Sequence, residues 1–174
     1  MPSPVGHGLG GIAVGWLAAP RQNREAAFVL AAVAIAPDLD LVFGTHREAS
    51  HSIGAAVLAG LIALAVARFA RSASWRDAMR WSGAVALAWL SHVVLDWLSN
   101  DTRPPIGVMA LWPFTQAHFK AAIEIFPPVS RRYWESQFWL YNLRAVLAEL
   151  LIVGPIAALV LWSARRARPR RARE

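Results

Sequence analysis

Three of the five histidines in the chain, His46, His51 and His92, lie within six residues of an aspartate or another histidine, and these three and His7 lie at the edges of hydrophobic segments. An ionisable side chain within lipid costs about 3 kcal/mol or more unless it is paired or bound to a ligand. Imidazole and carboxylate groups are common ligands of zinc and similar divalent ions. The candidate metal ligands are His7, Asp38, Asp40, His46, His51, His92 and Asp96. We therefore expect one or more divalent ions, most simply zinc, bound at a membrane.

Each group also has a structural interpretation. His92 and Asp96 are four residues apart and share one face of a helix, either as two metal ligands or as a pair that bonds neighbouring helices. Asp38 and Asp40 flank Leu39. In an extended segment both carboxylates face the same way, in a helix only one faces inward, and either can cap a helix or form a turn. The occurrence of several such groups in one chain favours a common metal site.

His46 and His51 frame a short loop that ends at Ser52, a residue type that caps helices. Ser52 has no histidine and aspartate dedicated to it, so we do not expect it to act as a nucleophile. His118 has no second ligand at helical spacing. We expect His118 to lie outside the metal site.

The composition is that of a membrane protein. The 174 residues are 56% hydrophobic and 17% charged, whereas soluble domains are nearer half apolar and a quarter charged. The absence of cysteine excludes disulfides and thiolate metal sites. We expect one membrane-embedded domain over residues 1–164 and a basic tail over 165–174. The tail carries six of the eighteen basic residues, and at the end of an apolar helix it is better explained as a cytoplasmic anchor than as a nucleic-acid-binding segment.

The hydrophobic segments predict an all-α, polytopic bundle of four to five helices. The first segment, rich in glycine, is expected to be a closely packed or re-entrant helix. Short interfacial helices are expected around residues 114–126, within a long connection over 100–142. The expected apolar helices cover residues 9–19, 26–36 with an extension to about 43, 53–70, 82–98 and 145–164.

The arginines predict the orientation of the bundle. With the tail in the cytoplasm, alternating spans place twelve of the eighteen basic residues on the inner side, as the positive-inside rule requires. The 100–142 connection then lies outside. The same topology brings all seven candidate ligands to the outer ends of their helices, although the charge count did not require this.

Several of these motifs together resemble a known family. They are His7 with Gly11, Pro37–Asp40, the block His-Arg-x-x-Ser-His-Ser over residues 46–52, Ser91-His92-x-x-x-Asp96-Trp97, and the Pro105–Phe114 segment. Over about residues 1–115 the chain resembles the YdjM-like inner-membrane metal-dependent hydrolases. That family is distantly similar to the zinc-dependent phospholipase C and P1 nuclease group. The resemblance implies a helical fold and hydrolase activity in the inner membrane.

The expected reaction is metal-assisted hydrolysis of a phosphoester, with membrane lipids and a phosphorylated or lipid-linked substrate as partners. A bound zinc ion lowers the pKa of its water toward about 7 and so supplies a hydroxide nucleophile. Asp40, if it is not a ligand, is the preferred general base. The planar guanidinium of Arg47 suits a phosphate, although a contact with lipid headgroups explains it equally well.

Two other classes of function remain open. A metal-ion transporter would need ligands near the bilayer midplane and an exit path on the inner side, where the helices contain mainly Ala, Leu, Val and Ile. Glu149 is the one polar group in the last apolar segment, and its expected position is near the outer interface. A non-catalytic membrane adaptor with a structural metal is the third possibility, and it would lack open coordination positions.

Overall fold

The computed structural model describes residues 1–44, 46–101 and 104–166, except for the side chain of Arg165. The described part of the chain is helical and contains no strand, which confirms the predicted all-α fold. Only two isolated bridges occur there, between Ser99 and Phe126 and between Val108 and Phe119. The predicted cytoplasmic tail, residues 165–174, lies almost entirely outside the described residues.

Five α-helices form the bundle. Two 3-10 helices, Ala36–Phe43 and Ala49–His51, connect the second helix to the third, and a π-helical turn, Val66–Ala70, extends the third. The α-helices are α1 (Pro4–Ala18), α2 (Arg24–Ile35), α3 (Ile53–Ala65), α4 (Trp75–Trp97) and α5 (Phe138–Arg166).

The starts of the first four helices have a common cause. In each, the side chain of the preceding residue accepts a hydrogen bond from a backbone N–H in the first turn, which satisfies a donor that the helix leaves free. These capping residues are Ser3, Asn23, Ser52 and Ser74. The caps at Ser3 and Ser74 explain why α1 and α4 begin five and seven residues earlier than predicted from the apolar segments alone.

Four helical segments are long and apolar enough to cross a membrane. They have 20, 18, 23 and 27 residues and are Arg24–Phe43, Ile53–Ala70, Trp75–Trp97 and Phe138–Ala164. Helix α1, with 15 residues, is shorter and packs against α2, α4 and α5. It is the central helix of the bundle, and its glycines let neighbouring backbones approach. A Cβ on Gly11 would lie 2.3 Å from Ala34 Cβ and 2.7 Å from the carbonyl oxygen of Leu30.

Below the candidate site, the helices pack through small side chains. The apolar core contains Trp16, Ala19, Ala26, Leu30, Ala34, Ala84 and Ala88, all buried. Close packing of small residues is the main source of helix association within a bilayer, where the hydrophobic effect between helices is absent.

The expected interfacial helices around residues 114–126 are not present. This segment consists of turns and extended backbone that hydrogen-bonds to other loops and to the end of α4. Ala121 N–H donates to the carbonyl of Trp97, Ile125 N–H to that of Leu98, and Phe119 pairs with Val108 in both directions. These long-range backbone bonds replace the local bonds that a helix would make.

Candidate metal centre

Four helical elements bring the predicted ligands to one end of the bundle. His7 lies in the first turns of α1, Asp38 in the 3-10 helix after α2, and His51 directly before α3. His92 and Asp96 lie near the end of α4. The structure therefore brings residues from four separate motifs together at one end of the bundle.

Four atoms in this cluster are spaced as the ligands of a tetrahedral ion would be. His51 Nε2 lies 3.6 Å from Asp38 Oδ1 and 3.3 Å from Asp96 Oδ2. His92 Nε2 lies 3.6 Å from each of the same two oxygens and 3.0 Å from His51 Nε2. Ligands bound to zinc at about 2.0–2.1 Å in a tetrahedron are separated by roughly 3.3 Å. These five separations lie within about 0.3 Å of that value.

The same atoms are poorly satisfied by hydrogen bonds. The separations between imidazole nitrogens and carboxylate oxygens exceed the usual range for N–H···O bonds, about 2.7–3.2 Å. Asp38 Oδ1, both carboxylate oxygens of Asp96 and both ring nitrogens of His7 are buried without a hydrogen-bond partner. Buried polar atoms are normally paired, and unpaired buried carboxylates are costly. A divalent cation would satisfy them, so the donor set fits a metal.

Two overlapping sets of residues could hold an ion. Within each set the ligand atoms lie within 4.8 Å of one another. The sets are Asp38, His46, His51 and Asp96, and His7, His92 and Asp96.

Asp96 belongs to both sets and faces two ways. Its Oδ1 lies 3.4 Å from His7 Nε2, whereas its Oδ2 faces His51 and His92. The rings of His7 and His92 are stacked with their centroids 3.7 Å apart. Asp96 would therefore contribute one oxygen to each of the two sets of ligand atoms.

The histidines are oriented through their Nδ1 atoms. His92 Nδ1 lies 2.7 Å from the carbonyl oxygen of Ala34, to which it can only donate. His51 Nδ1 lies 3.1 Å from Asp40 Oδ2, and His46 Nδ1 lies 3.0 Å from Asp40 Oδ1. A histidine that donates from one ring nitrogen presents the lone pair of the other to a metal. His51 and His92 thus direct Nε2 into the cluster.

Asp40 lies outside both sets of ligand atoms. Besides contacting the two histidines, it accepts hydrogen bonds from Ser50 Oγ at 2.7 Å and from the backbone N–H of Arg47 at 3.3 Å. Both of its oxygens are therefore engaged. This position suits a carboxylate that orients ligands better than the direct ligand or general base that the sequence predicted.

The carboxylates around His51 determine its protonation. Burial disfavours the charged imidazolium, but contacts with Asp38, Asp40 and Asp96 outweigh burial and raise the pKa of His51 to about 10. The surrounding carboxylates thus favour a positive charge at this position.

Arg47 lies beside the cluster and not in it. Its guanidinium forms an ion pair with Asp101, and its side chain is 8% exposed. The residue adopts a left-handed backbone conformation with φ of 67°, held because Asp40 accepts from its N–H and its carbonyl accepts from Met109. Arg47 Nε is buried and has no hydrogen-bond partner. The guanidinium thus retains a donor for a further ligand.

A cavity of 140 Å³ begins at Arg47. Its walls include Met1, His46, Arg47, Asn100, Asp101, Pro104, Pro105, Pro128, Val129 and Arg131. A larger cavity of 710 Å³ shares Pro128 and Val129 with it and extends to Phe138 and Tyr141, at the start of α5. The two cavities link the neighbourhood of the candidate ligands to one end of a membrane-length helical segment.

His118 belongs to neither set of ligand residues in the described part of the chain, in agreement with its expected exclusion. Sequence reasoning assigned no role to Ser50 or Asp101, which contact Asp40 and Arg47. Ser50 belongs to the block over residues 46–52, which could have drawn attention to it, whereas no spacing pattern marks Asp101.

A match to a known family covers nearly the whole chain, and not only the part that contains the motifs. Residues 1–169 match the family described as YdjM inner membrane protein. The chain belongs to this family. The match extends well beyond the predicted limit near residue 115 and includes α5. Together with four apolar spans, membership indicates a multi-pass membrane protein. No curated protein and no solved structure matched the chain.

Proposed function

We propose that this YdjM family protein is a metal-dependent hydrolase that cleaves a phosphoester at the outer face of the inner membrane. The observation that carries the proposal is the close spacing, 3.0–3.6 Å, of His51 Nε2 and His92 Nε2 from each other and from Asp38 Oδ1 and Asp96 Oδ2. Both of these oxygens are buried without a hydrogen-bond partner. These four residues would hold a zinc-like ion. His46 belongs to the set with Asp38, His51 and Asp96, and His7 to the set with His92 and Asp96, so each would add a ligand on its own side of Asp96.

A bound ion of this kind supplies a Lewis acid and a water of lowered pKa. The chain itself contributes orientation. Asp40 holds His46 and His51 by their Nδ1 atoms, and the carbonyl of Ala34 holds His92. In this proposal Asp40 acts through the histidines and does not touch the substrate.

Arg47 and its cavity support a phosphate-containing substrate. A cavity of 140 Å³ is close in size to cavities of about 150 Å³ that hold a benzene molecule, so it has room for a phosphate group. Arg47 and Arg131 on its walls suit an anion. The remainder of the substrate would lie in the adjoining cavity near Phe138 and Tyr141, a position that suits a lipid-linked phosphoester.

A transporter is less consistent with the distribution of buried polar groups. In the described residues, the polar and charged residues that are buried as a whole lie at the ligand end of the bundle or in the loops next to it. They are Ser3, His7, Arg47, His51, Ser52, Ser91, His92, Asp96, Ser99, Asp101 and Glu149. The apolar core below Asp96 offers an ion no continuation toward the other side.

Elemental analysis followed by assay tests the proposal. The full chain is purified in detergent without added metal, its bound metals are measured, and it is assayed on phosphomonoesters and phosphodiesters, including phospholipid vesicles. We expect stoichiometric divalent metal and hydrolysis that a chelator removes and zinc restores. Folded, metal-loaded protein that is inactive on the whole panel would refute the hydrolase and favour an adaptor with a structural metal.

Arg47→Lys tests the phosphate contact. Lysine keeps the charge but cannot make two parallel hydrogen bonds to one phosphate. We expect the variant to retain metal while its hydrolysis rate falls at least about tenfold. An unchanged rate would indicate that Arg47 contacts only lipid headgroups or Asp101.

The outer location is tested separately by reporter fusions. A reporter after residue 174 should report a cytoplasmic location, and one inserted between residues 115 and 118 should report an external one. The basis is the arginine asymmetry of the sequence. An external tail would move the proposed site to the cytoplasmic face.

A further inference from the structure

Glu149 is a buried ionisable residue that the proposed chemistry does not use. It lies in α5, within the apolar segment Phe138–Ala164, and is 0% exposed. An acidic side chain inside a membrane span costs about 3 kcal/mol, so its presence calls for a specific partner. The partner is the start of α1.

Three donors at the start of α1 converge on this carboxylate. The backbone N–H of Ser3 donates to Oε1 at 2.7 Å, and that of Gly6 donates to Oε2 at 3.1 Å. The hydroxyl of Ser3 also donates to Oε2. The free N–H groups of a helix N-terminus carry a partial positive charge, and a carboxylate there is favourable. Glu149 therefore caps α1 from a neighbouring helix.

The sequence of α1 makes room for this contact. A Cβ on Gly6 would lie 2.6 Å from Glu149 Oε2 and 2.9 Å from its Cδ. Any side chain at this position would displace the carboxylate. The absence of a side chain at Gly6 thus leaves the space that the Glu149 carboxylate occupies, although the two residues are far apart in the chain.

The capped turn is the turn that carries a candidate ligand. His7 follows Gly6 directly, and its N–H donates to the carbonyl of Ser3 at 3.1 Å. Its Nε2 lies 3.4 Å from Asp96 Oδ1, and neither ring nitrogen has a hydrogen-bond partner. No hydrogen bond from the imidazole itself orients His7, unlike His51 and His92. Its position depends on the backbone of the first turn.

We propose that Glu149 is a positioning residue of the metal centre, which fixes the start of α1 and thereby holds His7 against Asp96. The inference rests on the proposed function only in requiring that a metal binds to this cluster. It does not depend on what the protein hydrolyses.

Arg80 provides a matched control at the other end of the same helix. Its guanidinium donates to the carbonyls of Ala18, at 3.2 Å, and Ala19, at 3.0 Å. Each end of α1 is thus held by one charged side chain. Glu149 accepts hydrogen bonds at the start of the helix, and Arg80 donates them at its end. Only the end held by Glu149 carries His7.

The experiment uses cobalt as a spectroscopic probe of the full chain in detergent. Glu149→Gln, Gly6→Ala, Arg80→Gln and His7→Ala are titrated with Co²⁺, and the visible absorption of the bound ion is recorded. Glu149→Gln and Gly6→Ala should each weaken Co²⁺ binding by about 10–100-fold, the usual effect of losing a group that positions a ligand. Their spectra should shift toward that of His7→Ala. Adding Glu149→Gln to His7→Ala should change little further.

Arg80→Gln should lower the Tm but leave the cobalt spectrum and affinity as in the wild type. The proposal is overturned if Glu149→Gln and Gly6→Ala keep the wild-type spectrum and affinity, or if Arg80→Gln alters them equally. If Glu149→Gln does not fold, Gly6→Ala decides, because it displaces the carboxylate without removing it. A wild-type protein that binds no Co²⁺ would instead end the metal-centre proposal itself.

Discussion

The two ends of the helix bundle differ in the side chains that they bury. At one end, α1, α2 and α4 meet through Trp16, Leu30 and alanines, without an ionisable group in the buried core. At the other end, the same helices and the loop before α3 bring histidines and aspartates together, several with unpaired buried atoms. Ala34 belongs to both ends, because it packs in the core and its carbonyl holds His92. Tight apolar packing therefore gives the polar end a rigid frame.

The largest expected effect comes from removing the residue shared by both ligand sets. Asp96→Asn should lower metal affinity by well over 100-fold, more than the loss of an orienting group does, and should abolish hydrolysis. The protein should still insert and fold, because packing of the apolar end holds the bundle. Metal content by elemental analysis and membrane insertion by fractionation check this. Full retention of metal would show that the ion lies elsewhere.

The next largest effect is a difference in metal affinity between variants of the two carboxylates that flank Leu39. Asp38→Asn should reduce metal affinity as strongly as loss of a ligand, whereas Asp40→Asn should reduce it by about 10–100-fold, since Asp40 acts through His46 and His51. Isothermal titration with Zn²⁺ measures both. Equal losses would mean that Asp40 is itself a ligand.

At the apolar end, the expected effect is on stability and not on the metal. Gly11→Ala places a Cβ against Ala34 and the backbone of Leu30, and overpacking of this kind costs about 1–3 kcal/mol. The control is Gly154→Ala, where a Cβ would meet nothing within 4 Å. Thermal unfolding should show a lower Tm for Gly11→Ala alone, with metal retained in the folded fraction. A comparable decrease in the control would contradict the close approach.

The smallest expected effect concerns the one histidine outside the cluster. His118→Ala removes an imidazole without touching either ligand set, so metal content and hydrolysis should stay at the wild-type level. The same assays as for Asp96→Asn apply. A loss of metal here would widen the site beyond the four elements described.

Much of the architecture could be predicted from local patterns. The apolar segments identified every membrane-length helix, and the four-residue spacing of His92 and Asp96 placed both on one face of α4. The predicted starts of the helices were less accurate, because the capping residues Ser3 and Ser74 lie outside the apolar segments. The prediction of interfacial helices around residues 114–126 was wrong. Backbone N–H groups of this segment donate to the carbonyls of Trp97, Leu98 and Val108 instead of forming local helix bonds.

The sequence by itself determined the class of protein, a bundle of four to five helices and the set of residues available to bind a metal. Only the tertiary structure decided their roles. Asp38 and Asp40 lie in a 3-10 helix, where residues two apart point about 120° away from each other. One carboxylate therefore enters the cluster and the other turns toward the Nδ1 atoms of the histidines. The role of Glu149 likewise depends on tertiary structure. Glu149 and Gly6 are 143 residues apart in the chain, and only the packing of α5 against α1 brings them into hydrogen-bond contact.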